Sequence, residues 1–477
     1  MWQTAYSHSV RLQQMKNRKV DYFANTLLSY FKLPSHDREL SLTNIDPGTR
    51  KRQVGGGPIV VPTTPEAVME IVNARSYDWH KPGPDARLLR RILGNGLVVA
   101  EGQSHKSMRK AVAPAFSGKQ IRDLVPLFYK KGRAFVEVLA DKAPDGAVEM
   151  TTQMSKVTLD IIGSTGIGMD FDTINNQDNK LAQLYEIITG PDRGPIVLFF
   201  LINAFLPPVL VENMYGTRYA RVANAVRTLR YEVRGLLQEK KQSLEMKQQN
   251  DIIATIMRSG DFSDDYLCDQ LLTFFAAGHD TTAVSLTWTL YLLSLHAEKQ
   301  DVLRNECQKL GDPNKLDAEE LEHLPYLNAV CNEVLRLYPP VPGTTRRAVV
   351  DTKVRGQVLP KGTFCFIPMW TINRLPSLWG DDVNDFRPER WLDGPQASLG
   401  GAESAYAFLT FLYGPRSCIG QQFARVEMKC LLLALILRFR FELEDPEAEV
   451  KMTGFVTIKP ANGLRLKLHD LAKETKN

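Results

Sequence analysis

The sequence has little of what marks zinc-binding, secreted or membrane-spanning proteins. Its 477 residues contain six cysteines, none of them in a CxxC pair, which argues against a zinc site and a disulfide framework. The first residues are polar, and no run reaches the ~20 apolar residues that a membrane span needs. The longest apolar run, residues 196–206, can form a buried core segment or dip into a membrane surface.

Charge and composition exclude further classes. Lysine and arginine number 59 against 54 acidic residues, and a net charge of +5 gives no electrostatic case for nucleic-acid binding. A hydrophobic fraction of 44% with 24% charged residues is typical of a globular chain. Residues 1–54 are predicted to be a polar N-terminal lead-in. Because no repeat and no flexible linker divides the remainder, residues 55–477 are predicted to form one domain.

Helical periodicity predicts a mainly α fold with a minor β region (α+β). After Gly57, a short strand precedes a helix that Pro65 starts. One hairpin is predicted between 353–358 and 363–370, and a second within 454–468. Helices are predicted over 104–116, 119–142, 151–167, 215–247, 263–295, 298–310 and 420–438.

The most informative stretch is FLYGPRSCIG at residues 411–420, which leads directly into an apolar helix. Backbone N–H groups and the dipole at a helix start favour a thiolate, so Cys418 is a candidate metal ligand or nucleophile. The alternative is a buried structural cysteine. Around Cys418 stand two glycines that can admit a flat cofactor, an aromatic ring that can shield the sulfur and a guanidinium that can bind a carboxylate: Gly414, Gly420, Phe411 and Arg416.

A polar interruption lies in the middle of the apolar helix predicted over 263–295. Residues 277–282 read AGHDTT. A glycine inside a helix lowers helix stability, and a buried Asp-Thr pair loses solvation unless it finds hydrogen bonds. Gly278 can open space beside the helix, Thr281 can hydrogen-bond a bound oxygen ligand, and Asp280 can relay protons. The alternative is that the threonines bond back to carbonyls one turn earlier.

Three charged residues form a candidate buried scaffold. Glu333 and Arg336 are three apart on a predicted helix and share a face, and Arg390 follows in the segment FRPERW. Independent surface charges are the alternative. If the three are buried together, removal of one member strands a charge, at about 3–5 kcal/mol.

Together these patterns resemble the cytochrome P-450 superfamily. The haem-thiolate pattern Phe-x-x-Gly-x-Arg-x-Cys-x-Gly is complete, and AGHDTT is similar to the oxygen-activating motif Ala/Gly-Gly-x-Asp/Glu-Thr-Thr. Glu333, Arg336 and Arg390 resemble the family's Glu-x-x-Arg and Pro-Glu-Arg triad. The variant TFLYGPRSCIG, in which Leu412 replaces a small residue, resembles filamentous-fungal members. The resemblance covers residue 55 to the C-terminus.

The resemblance implies haem b with Cys418 as the axial iron ligand, and proton delivery by Asp280 and Thr281. His105 and Arg109 stand where the family binds haem propionates, although His105 replaces the Trp of many members. Arg346 is a third candidate for the propionates, with Arg347 as its competitor. The residues Lys106, Lys110, Arg425 and Lys429 are predicted to form a basic surface for an electron donor.

The implied activity is a monooxygenase that inserts one oxygen atom from O2 into a lipophilic small molecule by hydroxylation, epoxidation or further oxidation. Two electrons come from NADPH through NADPH-cytochrome P-450 reductase, with cytochrome b5 as a second candidate donor. Fungal secondary metabolism, with a terpenoid, polyketide or alkaloid substrate, is the predicted setting. The alternatives are a haem-thiolate isomerase or dehydratase that consumes no O2, and a non-catalytic haem sensor.

The resemblance further implies the cytoplasmic face of the endoplasmic reticulum membrane. Either patches such as 196–206 provide the contact, or the given start omits an anchor. The predicted pocket linings are 87–100, 194–211, Thr273 to Ala277, Gly343 to Val349 and Met452 to Phe455.

Overall fold

A computed structural model describes residues 59–474, apart from 177, 190–201, 203–204, 215, 243–250, 311–315 and 455. The predicted lead-in 1–54, its boundary with the domain, most of the apolar run 196–206 and Phe455 lie outside the described residues. Among the helices that are described, none is long and apolar enough to cross a membrane.

The fold is mainly helical, as predicted. In chain order the helices are α1 Pro65–Met69, α2 Gly83–Leu93, α3 Gly102–Val112, α4 Gly118–Asp123, α5 Val125–Lys142, α6 Met150–Gly166, α7 Lys180–Thr189, α8 Pro208–Glu212, α9 Arg218–Gln242, α10 Ile252–Ser259, α11 Asp264–Leu295, α12 Ala297–Cys307, α13 Ala318–Glu322, α14 Pro325–Leu337, α15 Met369–Ile372, α16 Pro376–Trp379, α17 Gln421–Arg438 and α18 Leu471–Glu474.

The strands are short and form four small sheets. They are β1 Ile59–Val60, β2 Trp79–His80, β3 Val148–Glu149, β4 Thr344–Ala348, β5 Thr352–Val354, β6 Gln357–Leu359, β7 Phe364–Ile367, β8 Phe439–Leu443, β9 Met452–Thr453, β10 Lys459–Pro460 and β11 Arg465–Asp470. The sheet orders are β1-β7-β4-β2, β3-β11-β8, β5-β6 and β10-β9. β1 runs parallel to β7, and the other pairs are antiparallel.

α11 runs through the centre of the main core. Ser263 caps it by accepting the N–H of Tyr266, at 3.2 Å, and Asp264 and Asp265 occupy its first turn, as the sequence predicts. Its residues are apolar and buried on most faces because α6, α9, α14 and α17 pack around it. A smaller apolar cluster underlies the β1-β7-β4-β2 sheet.

Two sequence predictions about local structure are wrong. The helix predicted over 119–142 divides at Leu124, because Pro126 fits only the first turn of a new helix, α5. The first predicted hairpin instead pairs β5 with β6, across Arg355 and Gly356, whose φ angles are both positive at 52° and 78°.

The second predicted hairpin, within 454–468, is also wrong. β10 pairs with β9, whereas β11 pairs with β8 and β3. The turn at Asn462-Gly463 therefore connects two different sheets. Turn chemistry alone predicts that the chain bends there but not which strands then pair.

Candidate active site

Cys418 lies in a tight loop immediately before α17. Its backbone N–H donates to the Phe411 carbonyl at 2.8 Å, which closes the loop. Gly414 has φ +76°, and a Cβ there would lie 2.5 Å from the Val72 carbonyl oxygen. The structure thus explains the glycine at position 414 by its close contact with the backbone of residues 72–73, rather than by the predicted approach of a cofactor. Leu412 also has a positive φ, 54°, which is uncommon for a residue with a side chain.

Cys418 differs in exposure from the other cysteines of the chain. The side chain is exposed, whereas the other five cysteines are buried. Surrounding protein still raises the pKa of its thiol through burial, against the opposing effects of the Gly420 N–H and the Arg109 charge. The Gly420 N–H at the start of α17 thus favours the thiolate, as the sequence predicts, but burial has the larger effect on this pKa. A bound metal ion would deprotonate it.

The middle of α11 is accessible too. Ala277 is exposed and Thr281 partly so, although the residues on both sides along this long central helix are buried. The ring of Phe116 is near both elements, 5.6 Å from the Phe274 ring of α11 and 3.9 Å from the place that a Cβ on Gly420 would take. We infer that Cys418 and the centre of α11 border one cavity.

The glycine of the AGHDTT segment does not open that cavity. A Cβ on Gly278 would meet the Ile162 side chain at 3.0 Å, so Gly278 permits close packing between α11 and α6. The Thr281 hydroxyl donates to the Ala277 carbonyl at 2.7 Å, which is the local arrangement that the sequence left as an alternative. The hydroxyl oxygen nevertheless remains at the cavity side of the helix and can accept a hydrogen bond.

Asp280 is held on another side of the same helix turn. Its Oδ2 accepts the Thr457 hydroxyl at 2.5 Å, and its Oδ1 lies 3.6 Å from the Lys459 Nζ. All three residues are buried. The predicted relay acid is thus fixed by two residues near the C-terminus.

The candidate propionate-binding residues His105 and Arg109 share one face of α3. Arg109 donates to the Ser417 carbonyl at 2.7 Å, next to Cys418. His105 is buried, and its Nδ1 lies 3.1 Å from the Tyr77 hydroxyl. Burial, with the charges of Arg416 and Arg109, lowers the pKa of His105 to about 4. His105 is therefore neutral at physiological pH and serves as a hydrogen-bonding residue.

A buried cationic group lies beside this face. Arg416 contacts Glu101 at 2.6 Å and donates to the Trp79 carbonyl at 2.9 Å. Burial and the Arg416 charge lower the pKa of Arg346 to about 10. Burial, Arg346 and Arg416 also lower the pKa of Lys81 well below its usual range. In contrast, Arg347, the competing candidate, is exposed.

This charge distribution fits the haem that the sequence resemblance implies. Lys81, Arg346 and Arg416 share one described carboxylate, that of Glu101, and so retain an excess of positive charge in a buried place. Such an excess suits a ligand with two carboxylates, because unpaired buried charge is costly. An accessible sulfur at Cys418, with Arg109 next to it, offers a ligand for iron.

The structure brings together Glu333, Arg336 and Arg390. Arg336 forms a fork on Glu333, with distances of 2.7 and 2.8 Å, and Arg390 Nε lies 2.9 Å from the same carboxylate. The Trp391 indole N–H donates to it as well, at 3.0 Å. Burial alone would raise the pKa of Glu333, but the Arg336 and Arg390 charges hold it below its usual range. The carboxylate therefore stays ionised in the core.

This scaffold is connected to the thiol loop through Asn373. Arg336 donates to the Asn373 carbonyl at 3.0 Å. The Asn373 side chain donates to Thr410 Oγ1 at 2.9 Å and accepts the Leu409 N–H at 2.9 Å. Thr410 in turn donates to the Leu335 carbonyl, at 2.7 Å. The residues just before the loop are thus fixed to the ion-pair helix, α14.

The predicted basic surface is only partly exposed. Lys106 and Lys110 are exposed on α3, but Lys429 is buried. Arg425 is half-buried, with its guanidinium 2.6 Å from Asn332 Oδ1 and 5.3 Å from the centre of the Phe411 ring. The prediction is therefore wrong for Lys429, whose place on α17 faces the core.

Two of the predicted pocket-lining residues on α11 belong to the core. Thr273 donates to the Leu93 carbonyl at 3.2 Å, and a Cβ on Gly96 would overlap its hydroxyl. Phe275 is fully buried, with its ring 5.6 Å from the Phe171 ring. Of the predicted lining range Thr273 to Ala277, only Ala277 is exposed and Ala276 partly so. The part of the lining predicted at 194–201 lies outside the described residues.

Sequence reasoning missed several residues around the site. Lys81, Glu101 and Lys459 carry no local signal, because a single charged residue in a loop or strand is usually solvated. Glu427 does carry one, since it stands in the apolar helix α17. It is fully buried, and neither carboxylate oxygen makes a hydrogen bond to the part of the chain that the structure describes. Burial raises its pKa well above the usual range, only partly offset by the nearby Thr282 hydroxyl.

Comparison with known proteins gives consistent results. Residues 51–467 match the family model described as cytochrome P-450. The cytochrome P-450 monooxygenase sphH of Aspergillus fumigatus is 40% identical, over 85% of this chain and 78% of that protein. The cytochrome P-450 monooxygenase buaD of Petromyces alliaceus is 36% identical, over 83% and 76%. The cytochrome P-450 monooxygenase ptmK of Penicillium ochrochloron is 31% identical, over 88% and 85%.

Proposed function

The chain belongs to the cytochrome P-450 family and is a monooxygenase, and we propose that it oxidises a lipophilic small molecule with two electrons from NADPH-cytochrome P-450 reductase. The observation that carries the proposal is the exposed thiol of Cys418 at the same cavity as Ala277 and Thr281 of α11. Haem, the cofactor that the family implies, supplies the iron at which O2 is activated.

Residues of the chain would hold the cofactor and move protons. We propose that Cys418 binds the iron through its sulfur, and that Arg109, Arg346 and Arg416 bind the two propionates, with His105 as a neutral hydrogen-bond partner. The Thr281 hydroxyl would hold a proton at the cavity side of α11. Asp280, one residue earlier, would resupply that proton. The Phe116 and Phe274 rings exclude water from one side of the cavity.

The substrate class and pathway are part of the proposal. Phe116, Phe274 and Ala277 give the cavity apolar walls, which favours a lipophilic substrate such as a terpenoid, polyketide or alkaloid. The fungal variant of the thiol loop and the fungal relatives support a role in secondary metabolism. Lys106 and Lys110 offer the exposed positive charges for an acidic reductase surface. Cytochrome b5 would compete for the same surface.

The test reconstitutes the haem-loaded chain with the reductase and an extract of a fungal strain that lacks the corresponding gene. NADPH oxidation, O2 consumption and new product are measured together. A monooxygenase oxidises NADPH, consumes O2 and forms product in a fixed ratio, whereas an isomerase forms product without consuming O2 and a sensor forms no product. Cys418→Ala should lose the thiolate-type ferrous–CO spectrum. Cys268→Ala, at a buried cysteine distant in sequence from the loop, is the matched control.

We propose a peripheral contact with the cytoplasmic face of the endoplasmic reticulum membrane near α8. Phe205, Val209 and Leu210 are 58%, 65% and 55% exposed, an unusual grouping for a soluble surface. On α2, the Arg87 guanidinium lies 5.6 Å from the Phe205 ring, and Arg91 donates to the Leu206 carbonyl. These contacts orient an apolar edge that carries positive charge, which suits anionic lipid.

Vesicles of phosphatidylcholine and phosphatidylserine test this contact by co-sedimentation. The double variant Val209→Asp, Leu210→Asp should bind several-fold less than the unmodified chain. Val302→Asp, Val350→Asp changes two valines that are similarly exposed elsewhere, at 48% and 47%, and should bind normally. Equal binding by both double variants would contradict the proposal.

A further inference from the structure

A buried lysine in β10 contacts both α7 and α11. Lys459 lies in β10, and its ammonium group donates to the Thr189 carbonyl at the end of α7 and faces Asp280 Oδ1 at 3.6 Å. It is 7% exposed. Burial of an ammonium group is costly unless nearby groups compensate it, so its place beside one particular carboxylate calls for an explanation.

The backbone around Lys459 is fixed independently of its side chain. The Ile458 N–H donates to the Pro340 carbonyl at 2.9 Å, and the Trp288 indole N–H of α11 donates to the Ile458 carbonyl at 2.8 Å. Thr457 and Lys459 lie on either side of Ile458, and both side chains contact the Asp280 carboxylate. Both therefore reach Asp280 from one rigid segment.

The preceding turn also depends on a single conformation. Gly454 has φ +135°, and a Cβ there would lie 1.7 Å from the Thr457 carbonyl oxygen. Only glycine allows this turn, which places the Thr457 hydroxyl within hydrogen-bond distance of Asp280. Each oxygen of the Asp280 carboxylate thus has one partner, the Thr457 hydroxyl or the Lys459 ammonium group.

We infer that Lys459, together with Thr457, is a positioning residue that orients the Asp280 carboxylate for proton delivery at Thr281. The inference rests on the proposed function, in which Asp280 resupplies the proton. Lys459 touches neither the cavity residues nor Cys418 among the contacts of the described residues. It acts through Asp280, and a general acid or base transfers protons efficiently only when it is held in the correct geometry. Among the residues that the structure describes, His279, next to Asp280 on α11, also faces the pair.

The test compares haem-loaded full chains of the unmodified protein, Lys459→Met, Lys459→Arg and Lys451→Met. Lys451 is an exposed lysine just before β9 and provides the matched control. Each protein is mixed with NADPH-cytochrome P-450 reductase and dodecanoic acid as a lipophilic probe. NADPH oxidation and hydrogen peroxide release are measured in H2O and in D2O. The ferrous–CO spectrum and thermal unfolding report folding and haem binding.

Lys459→Met should slow NADPH oxidation by about tenfold or more and should enlarge the solvent isotope effect, since proton transfer becomes rate-limiting. Lys459→Arg keeps the cation and should restore most of the rate, and Lys451→Met should match the unmodified protein. If Lys459 has a purely structural role, Lys459→Met should lower the intensity of the ferrous–CO spectrum and the melting temperature without changing the isotope effect. If Lys459→Met does not fold, Thr457→Val is measured in the same way, because it removes only the hydroxyl.

An unchanged rate and an unchanged isotope effect in folded Lys459→Met would overturn the inference. If Lys459→Met does not fold, the same result in Thr457→Val would overturn it. So would equal losses in Lys459→Met and Lys459→Arg with an unchanged isotope effect. The proposed function fails in a different way, when the unmodified haem-loaded protein itself shows no reductase-dependent O2 consumption. The two failures are therefore distinguishable.

Discussion

Asn373 connects the buried ion pairs to the thiol loop. Asn373→Ala should therefore lower the free energy of unfolding and weaken the binding of the iron by the Cys418 sulfur. The side chain is fully buried and makes three hydrogen bonds, to the Leu409 N–H, Thr410 Oγ1 and the Arg336 carbonyl. Each is worth about 1 kcal/mol net. The variant also leaves the buried Leu409 N–H without its partner, at about 1–3 kcal/mol. Because the lost bonds and the orphaned group partly overlap, the expected loss is about 3–5 kcal/mol.

The assay has two readouts on the haem-loaded full chain. Guanidinium unfolding followed by tryptophan fluorescence gives the free energy of unfolding, and the ferrous–CO spectrum reports whether the cysteine sulfur remains the iron ligand. Asn373→Ala should show a mixture of thiolate and non-thiolate spectra, because residues 409 and 410 lead directly into the loop that holds Cys418.

Asn384→Ala is the matched control. Its side-chain oxygen is buried and makes no hydrogen bond to the residues that the structure describes, so its removal should cost less than about 1 kcal/mol. An Asn373→Ala protein with the stability of the control and a fully thiolate spectrum would refute the proposed connection between α14 and the loop.

Three further predictions concern charge and backbone. Arg336→Ala should cost about 3–5 kcal/mol of unfolding free energy, whereas Arg387→Ala, at a half-exposed ion pair, should cost less than about 1 kcal/mol. Burial raises the pKa of Glu427. Above pH 4.5, the usual pKa of a glutamic acid, Glu427 loses its proton in the unfolded state but keeps it in the folded state, so the free energy of unfolding falls as the pH rises. Denaturant titrations at several pH values give the free energy of unfolding of both proteins. Relative to Glu427→Gln, its slope against pH in the unmodified protein should approach about −1.4 kcal/mol per pH unit, and equal slopes in the two proteins would contradict the prediction. Gly414→Ala should lose haem and stability, whereas Gly401→Ala, with φ +85° and nothing within 4 Å of its Cβ, should lose only the ~1–2 kcal/mol of backbone strain.

The sequence allows some levels of this structure to be predicted and not others. The long apolar helix α11, its Ser263 cap and the loop before α17 follow from periodicity and local chemistry. The Glu333, Arg336 and Arg390 contacts required the family pattern, because nothing local distinguishes them from solvated charges. Predictions failed where a distant segment decides the outcome. Ile162 explains Gly278, and residues 72–73 explain Gly414. The later strand of each predicted hairpin pairs elsewhere, β7 with β1 and β4 and β11 with β3 and β8.

The strand pairings impose an order on folding. β1 pairs with β7, joining Ile59 to Phe364, and β3 pairs with β11, joining Glu149 to Arg465. Both pairings close loops of about 300 residues, so the loop-closure entropy must be offset by contacts that form late in synthesis. A ribosome-bound chain that ends before β11 cannot complete the β3-β11-β8 sheet. Premature termination even a few residues before Arg465 should therefore leave β3 and β8 without their partner strand and yield a chaperone-bound or degraded product.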